Sequence, residues 1–62
     1  MKHRNLVDHL VSNGCVPIRE GGKHTIFYNP AMKSTSSIPR HTEINDFLGK
    51  KICKELGIPE LR

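Results

Sequence analysis

The sequence predicts an α+β fold in which two helices pack on one face of a three-stranded antiparallel sheet. Apolar residues recur at helical spacing near both ends of the chain. In the middle they alternate with polar residues, and a glycine pair and an Asn–Pro step interrupt the alternation. The predicted order is α-β-β-β-α, and we expect residues 1–62 to form a single domain.

The first helix is predicted from about His3 to Asn13. Its apolar stripe consists of Leu6, Val7, Leu10 and Val11. Gly14 is a stop signal, because glycine readily takes the left-handed conformation that follows many helices. His9 lies beside the stripe, and this position favours a solvated helix residue over a ligand.

The first strand is predicted from Cys15 to Glu20, with Val16 and Ile18 on an apolar face. Pro17 cannot donate a hydrogen bond to a neighbouring strand, so it indicates an edge strand. Gly21–Gly22 is typical of a two-residue type I′ hairpin turn, in which both residues have positive φ.

The second strand is predicted from Lys23 to Asn29. One face would carry His24, Ile26 and Tyr28, and the other Lys23, Thr25, Phe27 and Asn29. His24 would then lie at the rim of the sheet, on a rigid element and next to a turn. Taken alone, this pattern favours a structural histidine that packs against Ile26 or Tyr28.

Asn29–Pro30 begins a predicted loop that runs to Thr35 and looks like the most mobile part of the chain. A short third strand is predicted from about Ser36 to Pro39. We expect it to complete a three-stranded antiparallel sheet with the first two strands.

The last helix is predicted to begin after Asn45, a good N-cap, with Asp46 in its first turn complementing the helix dipole. Its apolar stripe would consist of Ile44, Phe47, Leu48, Ile52 and Leu56. Gly49 suggests a close approach by another element. Gly57 and Pro59 end the helix.

The composition favours a polyanionic partner. The chain has 62 residues, a formal net charge of +4 and a pI of about 9.4. A basic balance on so small a body is typical of proteins that bind nucleic acid or an acidic protein surface, and ordinary solubility charge is the alternative. With two cysteines, no signal-like apolar run and no stretch long enough to span a bilayer, we expect a cytoplasmic protein with reduced thiols and no membrane contact.

No metal site or other cofactor is predicted. Zinc needs about four ligands at suitable spacing, and Cys15 and Cys53 are far apart in the sequence. Both are expected to be small buried hydrophobes. A cysteine–histidine nucleophile has no better support from the residue pattern.

Several segments, taken together, resemble the HicA (YcfA-like) toxins. They are Gly14-Cys15, residues 19–27 (REGGKHTIF), Asn29-Pro30, residues 37–41 (SIPRH), Glu43-Ile44 and residues 51–59 (KICKELGIP). The resemblance covers nearly the whole chain in one colinear order. It implies a fold like that of double-stranded RNA-binding domains and the activity of a ribosome-independent mRNA interferase of type II toxin–antitoxin systems. The implied partners are mRNA and a HicB-type antitoxin that blocks the activity.

The family motif is a glycine, a small residue and a catalytic histidine that a second histidine often follows. Gly22 and His24 match the glycine and the catalytic histidine. Lys23 replaces the usual serine, and Thr25 stands where the second histidine often lies. The resemblance therefore implies that His24 is catalytic and reverses the structural interpretation given above.

Metal-independent RNA cleavage needs a base for the 2′-hydroxyl, an acid for the leaving 5′-oxygen and cations for the phosphorane charge. His24 is the candidate acid or base. Lys23 and Arg40 are candidates for RNA phosphate contact, followed by Arg19. His41 would either act as the second acid or base or, as we favour, bond backbone groups at the start of the last helix. The rival functions are a non-catalytic RNA-binding module and a protein-interaction domain.

Overall fold

A computed structural model describes residues 1–61, and Arg62 lies outside the described residues. Its elements are α1 (His3–Ser12), β1 (Val16–Glu20), β2 (His24–Asn29), β3 (Ser34–Pro39) and α2 (Asp46–Leu56). The strands pair antiparallel in the order β1-β2-β3, so β2 is central. The predicted α+β class and the α-β-β-β-α order are confirmed.

Both helices cover the same face of the sheet. In β2 the side chains of Thr25, Phe27 and Asn29 are buried beneath the helices, whereas His24 is exposed and Ile26 and Tyr28 are half-buried on the opposite face. The core contains Leu6, Leu10, Cys15, Phe27, Ile38, Ile44, Ile52, Cys53 and Leu56. We call the face that carries His24 the open face of the sheet.

The ends of the helices largely follow the sequence signals. Gly14 (φ 87°) follows α1 and Gly57 (φ 69°) follows α2, both in the left-handed conformation. At the start of α2 the side chain of Asn45 accepts a hydrogen bond of 2.8 Å from the amide of Phe47. The prediction of a close approach at Gly49 is also confirmed, because an added Cβ there would lie 2.6 Å from the Sδ of Met1.

Three predictions about apolar faces are wrong, and the first concerns Val11, which is 54 % exposed although the predicted stripe of α1 includes it. Phe47 is 81 % exposed. At about 100° per residue it lies on the opposite side of α2 from the buried Ile52 and Cys53. Val16 and Ile18 are also exposed, because β1 is an edge strand and an irregularity between Pro17 and Arg19 interrupts its alternation.

The predicted type I′ turn is also wrong. Neither Gly21 nor Gly22 has a positive φ. The chain reverses direction over residues 21–23, so Lys23 belongs to the turn and β2 begins at His24. The amide of Gly21 donates a hydrogen bond of 2.8 Å to the carbonyl of His24. Glycine permits positive φ without requiring it, and this turn closes without it.

The connection between β2 and β3 is shorter than predicted. β3 begins at Ser34, so the turn is limited to residues 30–33. The side chain of Asn29 accepts a hydrogen bond of 3.1 Å from the amide of Ala31 and so closes the turn locally. Lys33 completes the reversal with a φ of 51°.

Polar side chains attach α2 to the sheet. The Asn29 Nδ2 donates to the carbonyl of Leu56 at 2.6 Å, and the Ser36 hydroxyl donates to Oε1 of Glu55 at 2.7 Å. The prediction that the cysteines are buried is confirmed, and both are free thiols. Within residues 1–61, no helix is long and apolar enough to cross a membrane.

Candidate functional site

His24 is held at the rim of the sheet with its side chain exposed. It is the first residue of β2 and faces the open side. Its carbonyl accepts from Gly21 across the hairpin, and it pairs with Pro39 of β3 on its other side. The backbone of His24 is therefore positioned by both neighbouring strands, while its imidazole remains accessible to a large ligand.

Cationic side chains are close to His24 in the fold. The amide of Arg40 donates to the carbonyl of Lys23 at 3.0 Å, which extends the β2–β3 pairing past the ends of both strands. Arg19 pairs with Ile26, so its position is on the same face as His24 and diagonal to it, about 7–8 Å away between Cα atoms. The fold thus brings the three predicted phosphate-binding residues, Arg19, Lys23 and Arg40, close to His24.

The charges of these residues are not neutralised by ion pairs. Arg19, Lys23 and Arg40 are exposed, and the ion pairs found among residues 1–61 involve none of them. Glu20 is the adjacent acidic residue on β1. It pairs with Thr25, on the face to which the alternation also assigns Lys23 and its neighbour Arg40, so one carboxylate stands against two cations on that face, and Arg19 adds a third cation on the face of His24. The electrostatic character of the rim around His24 is therefore cationic, which suits a phosphate ligand.

His41 does not make the contact that the sequence analysis favoured. Its side chain is exposed, and no hydrogen bond joins it to the backbone at the start of α2 within the described residues. It lies instead beside the start of α1, because the amide of His3 donates to the carbonyl of Thr42 at 2.9 Å. It also lies two residues beyond Pro39, the pairing partner of His24.

The sequence analysis missed the cationic residues at the start of α1. A cleft of about 530 Å³ separates them from the segment that follows β3. It is lined by Lys2, His3, Arg4, Asn5, Arg40, His41 and Thr42. The run Lys2-His3-Arg4 is visible as a basic segment, but its position beside Arg40 depends on a long-range backbone contact.

The described residues contain no group of three histidine, cysteine, aspartate or glutamate side chains placed to hold a metal ion. The two thiols lie in the core, where burial raises the pKa of both Cys15 and Cys53. They are therefore protonated at neutral pH and remote from the rim that holds His24. His9 bonds the C-terminal segment, since its Nε2 lies 2.6 Å from the carbonyl oxygen of Pro59.

Comparison with known proteins identifies the family. A family model described as the HicA toxin of bacterial toxin–antitoxin matches residues 4–58, which include α1 from its second residue, the whole sheet with the rim around His24, and α2. Comparisons with curated proteins and with solved structures give no significant match. Because the family match spans most of the 62 residues, the chain belongs to the HicA toxin family and is a toxin whose partner is an antitoxin.

Proposed function

We propose that this toxin is an endoribonuclease, an mRNA interferase that cleaves mRNA independently of the ribosome and acts in the cytoplasm. The observation that carries the proposal is the exposed His24 at a rigid sheet rim, next to cationic residues that form no ion pair within residues 1–61. Histidine suits this chemistry because its ordinary pKa lies near neutrality. The family match adds support, because it covers this rim in a protein with a toxin role.

In the proposed reaction RNA supplies its own nucleophile. A base takes the proton of the 2′-hydroxyl, and the 2′-oxygen forms a bond to the adjacent phosphorus. The bond from phosphorus to the 5′-oxygen breaks, and an acid gives that oxygen a proton. The products are a 2′,3′-cyclic phosphate and a 5′-hydroxyl. These steps involve no oxidation or reduction and do not require a metal ion. We therefore propose a metal-independent reaction without a cofactor.

His24 performs one of these two proton transfers in the proposal, and His41 is the candidate for the other. His41 stays a candidate because it follows Pro39, which pairs with His24, by only two residues. Lys23, Arg40 and Arg19 bind the RNA phosphates and stabilise the negative charge of the phosphorane. The half-buried Tyr28 lies farther along the same open face, where one base could stack.

The proposed antitoxin is of the HicB type and blocks the toxin by covering this rim. Because Lys23 and Arg40 are exposed cations, we propose that carboxylates of the antitoxin contact them while a segment of it lies over His24. Such a contact would exclude RNA by direct competition. A complex in which His24 stays open to solvent would contradict this part of the proposal.

The test is cleavage of a single-stranded RNA by the purified toxin in the presence of EDTA. We compare the wild type with His24→Ala, and with Thr35→Ala as the control, because Thr35 is exposed on the open face at the other end of β3. The expected result is cleavage by the wild type and the control, and a loss of about 10²–10⁴-fold in His24→Ala. RNA binding should persist in all three proteins.

Two results would favour the rival functions. If all three proteins bind RNA and none cleaves it either with or without EDTA, the toxin is a non-catalytic RNA-binding module. If none binds RNA in a salt-dependent way, the basic rim serves a protein partner alone. Cleavage that disappears with EDTA in the wild type would overturn the metal-independent mechanism while leaving ribonuclease activity in place.

A further inference from the structure

The cleft at the start of α1 carries positive charge of its own, apart from the rim around His24. Three basic side chains line it, those of Lys2, Arg4 and Arg40. Lys2 is partly neutralised, because its Nζ lies 3.0 Å from Oε1 of Glu43. Arg4 and Arg40 take part in none of the ion pairs found among residues 1–61. The cleft therefore keeps a net positive charge.

The wall of the cleft also contains an unsatisfied polar atom. His3 lines the cleft, and its Nε2 is buried with no hydrogen-bond partner in the described part of the chain. Buried nitrogen atoms without a partner are uncommon in folded proteins. In the tautomer that carries the proton on Nε2 this atom is a donor, and a phosphate oxygen is an acceptor of the matching kind. The unpaired nitrogen is thus a polar feature of the cleft wall that does not depend on the charges of Lys2, Arg4 and Arg40.

The cleft adjoins the rim around His24 through the segment that follows β3. Arg40 belongs to both, because its amide donates to the carbonyl of Lys23 and its residue lines the cleft. From Pro39, which pairs with His24, the chain reaches Thr42 in three residues, a span of at most about 10 Å. A single extended polyanion can therefore lie across both places.

We propose that this cleft binds a phosphate group of the RNA strand that flanks the cleavage site, with Arg4 and Arg40 as its cationic contacts. The inference rests on the proposed ribonuclease function and extends it from the rim to a second binding site. RNA is favoured over an acidic protein segment because the two sites are contiguous and phosphates recur at regular intervals along one strand. Contacts of this kind add affinity and set the register of the strand without reading its sequence.

The test measures RNA binding separately from cleavage. The probe is a fluorescent single-stranded hexanucleotide with 2′-O-methyl groups throughout, which lacks the 2′-hydroxyl nucleophile and stays intact. Its affinity for the full toxin is measured by anisotropy at several salt concentrations. The variant is Arg4→Gln, and the matched control is Lys33→Gln, which removes the same charge from the exposed β2–β3 turn at the other end of the sheet.

We expect Arg4→Gln to weaken binding roughly threefold to tenfold at low salt and to lower the slope of log K against log salt by about 0.7. Lys33→Gln should bind like the wild type. A 2′-O-methyl dinucleotide has a single internucleotide phosphate, which cannot occupy the rim and the cleft together, so the difference between Arg4→Gln and the wild type should be smaller than with the hexanucleotide. Equal affinities of Arg4→Gln and Lys33→Gln for the hexanucleotide would overturn the proposal.

A hexaglutamate peptide tests the other class of ligand. If Arg4→Gln loses as much affinity for this peptide as for the hexanucleotide, the cleft recognises carboxylates equally well and the assignment to RNA is overturned. The experiments distinguish the failure of the ribonuclease proposal from the failure of the cleft proposal. A toxin that binds through Arg4 but never cleaves refutes the ribonuclease function alone, whereas His24-dependent cleavage with no effect of Arg4→Gln refutes the cleft alone.

Discussion

Asn29 joins the β2–β3 turn to the end of α2, and its replacement by alanine should strongly destabilise the fold. Its side chain is almost fully buried, at 3 % exposure. The Nδ2 donates to the carbonyl of Leu56 at 2.6 Å, and the Oδ1 accepts from the amide of Ala31 at 3.1 Å. One side chain therefore satisfies a carbonyl at the C-terminal end of a helix and an amide in a tight turn.

The expected cost follows from these two contacts. Losing one neutral hydrogen bond costs about 0.5–1.5 kcal/mol, and leaving a buried carbonyl unsatisfied costs about 1–3 kcal/mol more. Asn29→Ala should thus lower the free energy of unfolding by about 2–4 kcal/mol. A chain of 62 residues has a total stability of roughly 3–9 kcal/mol. At about 8 °C per kcal/mol for a domain this small, the Tm should fall by about 15 °C or more.

Asn13→Ala is the matched control. Asn13 is also an asparagine whose Nδ2 donates to a carbonyl near a helix end, at 2.8 Å from the oxygen of His9, but it is exposed. That carbonyl also accepts from the Ser12 hydroxyl at 2.9 Å, so it keeps a partner. Thermal unfolding followed by circular dichroism should show a loss below about 1 kcal/mol. Equal losses of stability in Asn29→Ala and Asn13→Ala would refute the reasoning from burial.

Three further predictions concern stability. Ile52→Ala should cost about 2–5 kcal/mol in urea unfolding, and Phe47→Ser less than about 0.5 kcal/mol, because only Ile52 is buried. Gly14→Ala should cost about 1–2 kcal/mol for its positive φ of 87°, and Gly57→Ala more, because a Cβ there would also lie 2.9 Å from a methionine side chain. Burial raises the pKa of the Cys53 thiol, so its unfolded form ionises first and stability falls as the pH rises above about 8.5. Cys53→Ala should therefore reduce that fall, by up to about 1.4 kcal/mol per pH unit in urea unfolding.

Each of these predictions has a result that contradicts it. A large loss of stability in Phe47→Ser would mean that this ring packs against the chain. Equal losses in Gly14→Ala and Gly57→Ala would show that the methionine side chain moves away at no cost. An alkaline decline that is identical with and without Cys53 would assign the decline to other groups, such as Cys15, whose pKa burial also raises.

The parts of the fold that depend on local periodicity could be predicted from the sequence. The alternation of β2 correctly separated Phe27 and His24 onto opposite faces, but it did not show which of the two faces the helices cover. The Asn45 cap and the glycines after both helices were also visible, because these signals act over a few residues. Apolar character alone was not enough at Ile18 or Phe47, because burial there depends on which surfaces the helices cover.

The candidate site also has one part that follows from short-range structure and one part that depends on a long-range contact. The register of the β2–β3 pairing follows from a short turn, and it brings Arg40 beside Lys23. The cleft at the start of α1 could not be predicted, because it depends on the bond between His3 and Thr42, which are 39 positions apart in the sequence. Local patterns carry no information about such a contact.

The exposure of His24 has a consequence for the proposed mechanism. Enzymes commonly strengthen electrostatic stabilisation by excluding water from the reacting groups. Here the imidazole and the nearby Arg40 are exposed, so the free toxin does not itself provide a dry site. On the proposed mechanism, the RNA strand must supply part of that exclusion when it lies across the rim and the cleft. Cleavage should then depend on the length of the RNA beyond the two nucleotides that flank the broken bond, and a partner that covers the rim would inhibit the toxin without rearranging its fold.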